Sequence, residues 1–429
     1  MQRQTTLLIA FAAALFTPPA LAQGVDSTCQ FSLTRLDATT LNVLALDTNA
    51  VYWVGSYTSV PGTRIRIGGQ FPYSRYMSWN LYDSAGRSID GLTDEQIEVN
   101  GDNTNPFQPG ADRFAERRSY TGAIDFGARP NTPARNTMYA ESSPTGTFWY
   151  RVYIPDDGRD EKGGVPLPEV TLELTDALGG APDPKVCQEA QAPFPPYLND
   201  AIAGSPGLPS PTDNGQGYPG RNPPNWRLFV NLSRSATDIL FDNASTEQFY
   251  TEAYQVPTNQ SNSPGFFANR DISYVFTGSS RGFGELLVLH GRAPTFADTR
   301  YGAPVMPSGE QLRYWSFCQY EPATQRVIDC RSDDRVVVGA DGDYTIVVSA
   351  ADQQPANAQP ECGVTWLAWG PQTQGLLIYR HMLADPSFAN AIQQIPVPGM
   401  ELAVMGDYYP AGEYLPDTAA FEARGCPPT

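Results

Sequence analysis

The sequence predicts a mainly β protein: two homologous β-sandwich-like domains from an internal duplication, with a few short helices. Three observations carry this expectation. A long pattern of aromatic and polar residues occurs twice, and Gly and Pro are abundant at 38 and 39 residues. Short runs of aromatic and β-branched residues also alternate with turn residues along most of the chain, the texture of many short strands joined by tight turns. In the N-terminal half the repeated pattern reads Arg75-Tyr76-Met77-Ser78-Trp79, Tyr82, Arg87-Ser88-Ile89-Asp90, Asp94. In the C-terminal half it reads Arg313-Tyr314-Trp315-Ser316-Phe317, Tyr320, Arg326-Val327-Ile328-Asp329, Asp333. Upstream, Gly69-Gln70-Phe71-Pro72 answers to Gly291-Arg292-Ala293-Pro294; downstream, Tyr120-Thr121 answers to Tyr344-Thr345. Tyr150-Arg151 followed by Asp156 answers to Tyr379-Arg380 followed by Asp385. A unit of this length is a repeat at domain scale, not a solenoid period.

Taken in order, residues 1–22 read as a secretory signal peptide. Arg3 precedes the apolar run Leu7 to Phe16, and Ala20-Leu21-Ala22 supplies a small-x-small cleavage site before Gln23. The run is too short and wrongly flanked for a membrane anchor. No Cys follows the site and no later stretch is apolar enough for a span. The mature chain is therefore expected to be soluble and secreted or periplasmic.

Residues 23–178 read as the first β domain, with strands at Tyr52 to Tyr57, Arg64 to Ile67, Met77 to Tyr82 and Phe148 to Ile154. Arg64-Ile65-Arg66-Ile67 has the period of a half-buried strand, and Asp83 to Gly86 has turn chemistry. Asn100 to Asp112 is a polar loop with no counterpart in the second copy. Residues 179–226 are rich in Pro and Gly and read as an extended linker, in which only Tyr197 to Ala203 suits a helical turn or two.

Residues 227–429 read as the second β domain. Its strands are expected at Leu228 to Asn231, Ser273 to Thr277, Leu286 to Leu289, Tyr314 to Tyr320, Arg335 to Val338, Tyr344 to Ser349 and Leu376 to Tyr379, with a turn at Asp341-Gly342. Helices are expected at Thr246 to Tyr254 and at Pro386 to Gln394, where Phe388, Ala389 and Ile392 share a face. The tail from Gly406 to Leu415 is expected to pack back across the domain.

Composition bounds the partners. A net charge of −18 argues against nucleic acid, which is gripped through Lys and Arg, and against an anionic membrane surface. Six Cys in an exported chain are expected to pair, and fifteen connectivities exist. The repeat suggests Cys318 with Cys330 on adjacent strands, Cys29 with Cys187 bracketing the first copy, and Cys362 with Cys426 tying down the tail. That set leaves no thiol for catalysis or metal.

Most familiar chemistries fail on inventory. The chain holds two His, His290 and His381, and no Gly-x-Ser-x-Gly elbow. No Cys/His spacing suggests zinc and no Gly-rich loop suits phosphate, so no cofactor is expected. The stretch Asp156 to Glu161 and the loop around Asp102, Asn103, Asn105 and Asp112 are oxygen-rich enough for calcium, although neither matches a defined calcium loop. The repeated polar set is more informative. Arg75, Tyr76, Asp90 and Arg151, with Arg313, Tyr314, Asp329, Asp333, Arg380 and His381, are the candidate ligand-binding residues. Each Arg and Asp reads in two ways: as part of a structural ion pair at a sheet rim, or as part of a pocket holding a carboxylate or sugar hydroxyl between aromatic walls.

Arg313-Tyr314-Trp315-Ser316, Asp341-Gly342-Asp343-Tyr344-Thr345, Thr365-Trp366-Leu367 and Tyr379-Arg380 resemble a pattern of secreted bacterial proteins built of paired domains of unknown function. That pattern runs Trp-Ser, Asp-Gly-Ser, Asn-Trp-Leu-Pro, Arg-x-Tyr; here Thr365 stands for the Asn and Ala368 for the Pro, and no Tyr follows Arg380 by two. The resemblance implies a β-rich envelope protein and supplies no activity. The expected function is binding of a small molecule, a glycan or an envelope protein. An extracellular hydrolase acting on polysaccharide or ester through Asp and Arg is the alternative.

Overall fold

The computed structural model describes residues 29–191, 221–229 and 267–428, apart from residues 41, 43, 44, 85, 142, 177–179, 306–308 and 323. The first half carries β1 (Thr34–Leu36), β2 (Ala50–Thr58), β3 (Thr63–Gln70), β4 (Ser74–Asp83), β5 (Ser88–Thr93), β6 (Ser119–Asp125), β7 (Thr137–Tyr139), β8 (Thr145–Pro155) and β9 (Glu169–Leu174). The second carries β10 (Arg227–Leu228), β11 (Ile272–Ser280), β12 (Leu286–Arg292), β13 (Leu312–Tyr320), β14 (Val327–Ser332), β15 (Asp343–Ser349), β16 (Val364–Ala368), β17 (Gln374–Ala384) and β18 (Ala411–Leu415).

The strands form four sheets in two similar halves. Orders β1-β2-β8-β4-β5 and β7-β6-β3-β9 in the first half match β10-β11-β17-β13-β14 and β16-β15-β12-β18 in the second. The likeness reaches local irregularities. One parallel pair occurs in each half, β6 with β7 and β15 with β16. The register slips at Leu81/Tyr82 in one and at Gln319/Tyr320 in the other.

Within each half the two sheets pack face to face. Trp53, Trp79, Phe148 and Tyr150 from the five-stranded sheet meet Ile65, Ile67, Tyr120 and Val170 from the four-stranded one. Trp315, Phe317 and Tyr379 meet Leu287, Leu289, Tyr344 and Ile346 in the second half. The five-stranded sheets then bury their other faces against each other. Tyr52, Val54, Tyr76, Tyr82, Trp149 and Tyr153 form one core with Ile272, Tyr314 and Met382. Every residue of β4 and of β13 is consequently buried, as strands covered on both faces must be.

Three disulfides tie the ends: Cys29–Cys187, Cys318–Cys330 and Cys362–Cys426. Cys187 lies on a helix, Pro184–Ala190, capped by Asp183, so the stretch read as linker opens on ordered structure docked to the first half. At its other end Trp226 is buried in the second core and donates its indole N–H to the Pro410 carbonyl at 2.7 Å.

Two expectations are corrected. Pro386 to Gln394 is not a helix: Asp385 caps a turn through the Ser387 N–H, and only Ile392–Gln394 closes a 3-10 turn. Its apolar residues face the core through successive turns, which mimic a helical period. Arg335 to Val338 is not a strand: Asp333–Arg335 forms a 3-10 turn, and Val338 makes a single bridge to Tyr344. In the tail, Ala411–Leu415 adds to the four-stranded sheet beside β12. The leader 1–22 and the helical turns expected at Tyr197 to Ala203 and Thr246 to Tyr254 lie outside the described residues. Among those described, no helix is long and apolar enough to cross a membrane.

Candidate functional site

The repeated polar residues meet at the seam between the halves, and they meet crosswise. Arg75, from β4, donates to Asp333 of the second half. Arg313, from β13, donates to Asp94 of the first half at 3.1 Å and to Glu95 at 3.2 Å. Each Asp caps its own half as well: Asp94 accepts the Met77 N–H at 3.0 Å and Asp333 accepts the Trp315 N–H at 3.0 Å. Burial pushes both carboxyls up, to about 6, against the pull of the opposing guanidinium.

The exchange continues with the next pair. Arg151 donates to the Tyr82 hydroxyl at 2.6 Å and to the Phe267 carbonyl at 3.1 Å, and Arg380 donates to the Tyr320 hydroxyl at 2.5 Å and to the Ala45 carbonyl at 2.7 Å. Tyr76 donates to Asp271 at 2.6 Å, and Tyr314 to Asp47 at 2.7 Å. Both acids precede the first long strand of the opposite half. Contacts exchanged in this way are the signature of a two-fold, self-complementary interface, here within one chain.

Of the expected binding residues, Arg75, Tyr76, Arg151, Arg313, Tyr314, Asp333, Arg380 and His381 are all 3% exposed or less. They lie in the interior and are not offered to solvent. His381 accepts the Ile392 N–H at Nδ1, 3.1 Å away, and burial pushes its pKa down to about 3, so it is neutral. In the first half the equivalent residue is Val152.

Asp90 and Asp329 do a different job. Asp90 on β5 accepts the Tyr139 N–H at 2.9 Å, and Asp329 on β14 accepts the Ala368 N–H at 3.0 Å. Each thereby clamps an edge of the five-stranded sheet to the end of β7 or β16. Asp94 points into the seam toward Arg313, so it does not share a pocket with Asp90.

Around Asp90 the likeness between the halves breaks, and a cleft of about 580 Å³ opens. Its lining includes Asp90, Gly91, Arg129, Glu141, Arg270 and Asp271. Register shows what stands at the matching place in the second half. Asn80 pairs with Gly91 where Cys318 pairs with Cys330, so a disulfide stands there where this half has an amide and a glycine against which Arg270 lies. Two residues beyond each clamped N–H stand Glu141 and Gly370, both with positive φ, at 53° and 89°. At Gly370 a β carbon would strike Ile328 at 2.5 Å. The first half instead holds a glutamate in the left-handed region that favours glycine, and its side chain is exposed.

Electrostatically the cleft is mixed. Asp90 carries Arg129 at 2.7 Å and Arg270 at 3.3 Å, and both guanidiniums stay partly open, with side chains 47% and 30% exposed. Asp271 accepts the Thr93 hydroxyl at 2.8 Å besides that of Tyr76. Of the lining residues only Asp90 is among the candidate ligand-binding residues of the repeat. Arg129, Glu141, Arg270 and Asp271 were legible only as differences between the copies: Glu141 against Gly370, and Arg270 against Thr48.

The oxygen-rich stretches are otherwise engaged. Asp156 pairs with Arg113, Asp160 accepts the Lys162 and Gly164 N–H groups, and Asp102 pairs with Arg117. Asp47, Cys318 and Cys330 cluster closely, but the two sulfurs are joined and present no thiolate to a metal.

No family model and no curated protein matches the chain. Among solved structures it is similar to a putative uncharacterized protein from Burkholderia cenocepacia, at 14% identity and a TM-score of 0.45, over 83% of this chain and 79% of that one. It is also similar to the VPA0106 protein from Vibrio parahaemolyticus, at 12% identity and a TM-score of 0.42, over 87% of this chain and 92% of that one. A likeness at this level carries no argument about chemistry.

Proposed function

We propose that this is a secreted or periplasmic binding protein that takes a small polar solute in the cleft beside Asp90. The observation that supports the reading is the local break in likeness: where one half carries the Cys318–Cys330 bridge and Gly370, the other carries Asn80, Gly91 and Glu141 on a polar cleft. A cavity of about 580 Å³ lies within the range of small-molecule sites. Three disulfides and an apolar leader agree with export.

Calorimetry of the mature chain against a panel of small polar solutes tests this. Asn80→Cys with Gly91→Cys copies the Cys318–Cys330 bridge into the first half and should abolish binding while the protein stays folded. Undiminished binding by the oxidised double variant would remove the cleft from consideration.

A further inference from the structure

We propose that the ligand of this cleft is a small amphoteric molecule, carrying a carboxylate and an amine as an amino acid or short peptide does. The inference rests on the cleft being a binding site, as argued above, and adds the chemistry of what it binds.

The wall around Asp90 supplies the anion-binding part. The Asp90 carboxylate already accepts the Gly91 N–H at 2.9 Å and the Tyr139 N–H at 2.9 Å, so it is held without needing either guanidinium in full. Arg129 spends one donor on it, and Arg270 shares one between it and the Ile89 carbonyl at 3.2 Å. A guanidinium has five N–H donors in a planar fork suited to a carboxylate. Two such forks, both partly exposed on one cleft, provide for a ligand carboxylate.

Glu141 and Asp271 supply the complementary part. Among the described residues Asp271 takes hydroxyl donors, from Tyr76 and Thr93, which leaves it acceptor capacity for an ammonium. Glu141 holds its exposed carboxylate on the same cleft from a backbone conformation that its twin assigns to glycine. Residues in such conformations concentrate at ligand sites, where their side chain must be aimed in a particular direction. With three carboxylates and two guanidiniums on the lining, the cleft carries one net negative charge. That balance disfavours a purely anionic ligand and suits one whose own carboxylate is offset by an amine.

A sugar fits less well. Trp79 is the single aromatic on the lining, and it is fully buried, packed on Tyr150 and Phe148 with ring centroids 5.0 Å and 6.4 Å away. It has no open face on which a pyranose could stack.

The test is calorimetry and thermal unfolding of the mature full-length chain with L-glutamine and alanyl-alanine as probes. N-acetyl-alanyl-alanine, alanyl-alanine amide, glucose and maltose are the comparators. Alanyl-alanine or glutamine should bind and raise the unfolding midpoint, and capping either end should weaken binding ~10-fold or more, as loss of a charged hydrogen bond does. Glu141→Gln should narrow the gap between free and acetylated peptide, and Arg270→Met the gap between free acid and amide. Tight binding of the neutral sugars with none of the peptides, or indifference to capping, overturns the amphoteric ligand while leaving the cleft as a binding site. If no solute binds and the bridged Asn80→Cys, Gly91→Cys variant behaves as the natural chain, both readings fall.

Discussion

The guanidinium of Arg75 leaves its own half of the molecule and donates to the carboxylate of Asp333 in the other. Arg313 and Asp94 make the same bond in the opposite sense. Both pairs are fully buried, with side-chain exposures of 0%. A buried pair is worth little net against well-packed apolar residues, yet removing one member leaves an uncompensated charge and is severe. These two Arg–Asp pairs therefore act as register pins. They fix which face of one half meets which face of the other, and each half supplies one partner to each pair.

Two glycines of the repeat make a second shared device. Gly69 lies opposite Tyr120 and Gly291 opposite Tyr344 on the paired strand, and each ring rests where a side chain would stand. A β carbon at Gly69 would come within 2.6 Å of the Tyr120 ring, and one at Gly291 within 2.8 Å of the Tyr344 hydroxyl. Gly69→Ala and Gly291→Ala should each destabilise by about 1–3 kcal/mol, the usual cost of overpacking, read as a lower urea midpoint with an unchanged slope.

The disulfides should rank by the chain they close. Cys29–Cys187 spans 158 residues and Cys318–Cys330 only 12. On loop entropy the first should contribute about 5 kcal/mol and the second about 3 kcal/mol. Urea unfolding of the Cys29→Ser, Cys187→Ser and Cys318→Ser, Cys330→Ser double variants checks the order.

Stability against pH should show two opposing contributions. His381 has its folded pKa pushed down to about 3, below its unfolded value of about 6.5. Between those values only the unfolded chain takes the proton, so this contribution is present above pH 6.5 and lost as pH falls toward 3. Asp94 and Asp333 have folded values raised to about 6, so theirs is present below about pH 4 and lost as pH rises through 6. His381→Asn keeps an acceptor for the Ile392 N–H and removes the titration. Its unfolding free energy should fall as pH rises from 4 to 6, relative to the natural chain, by about 1.4 kcal/mol per unit. Asp94→Asn should tilt the other way. Parallel curves for all three proteins would contradict the assignment.

The mainly β fold and its two similar halves could be read from the sequence because the two halves share both the spacing of their aromatic and polar residues and their turn residues. The crosswise pairing could not. Arg75 has an Asp at the right spacing in its own copy, Asp94, and sequence alone does not distinguish that partner from Asp333. Strands β4 and β13 gave no clean alternation because both their faces are covered, and only the second half's presence explains that. The cleft is not legible in the sequence for the converse reason. What the halves share lies at the seam, whereas Gly91, Glu141 and Arg270 matter through what their counterparts Cys330, Gly370 and Thr48 are instead. Pro386 to Gln394 misled because turns that face a core repeat at nearly helical intervals.

The most direct test of the account is a double-mutant cycle on Arg75 and Asp333, read as unfolding free energy. Arg75→Met and Asp333→Ala, the latter removing both oxygens that accept from Arg75 and the Trp315 N–H, should each cost about 3–5 kcal/mol, and the double variant should cost little more than either alone, a coupling of about 3 kcal/mol. Additive losses, with a coupling near zero, would mean that these residues do not pin the two halves together.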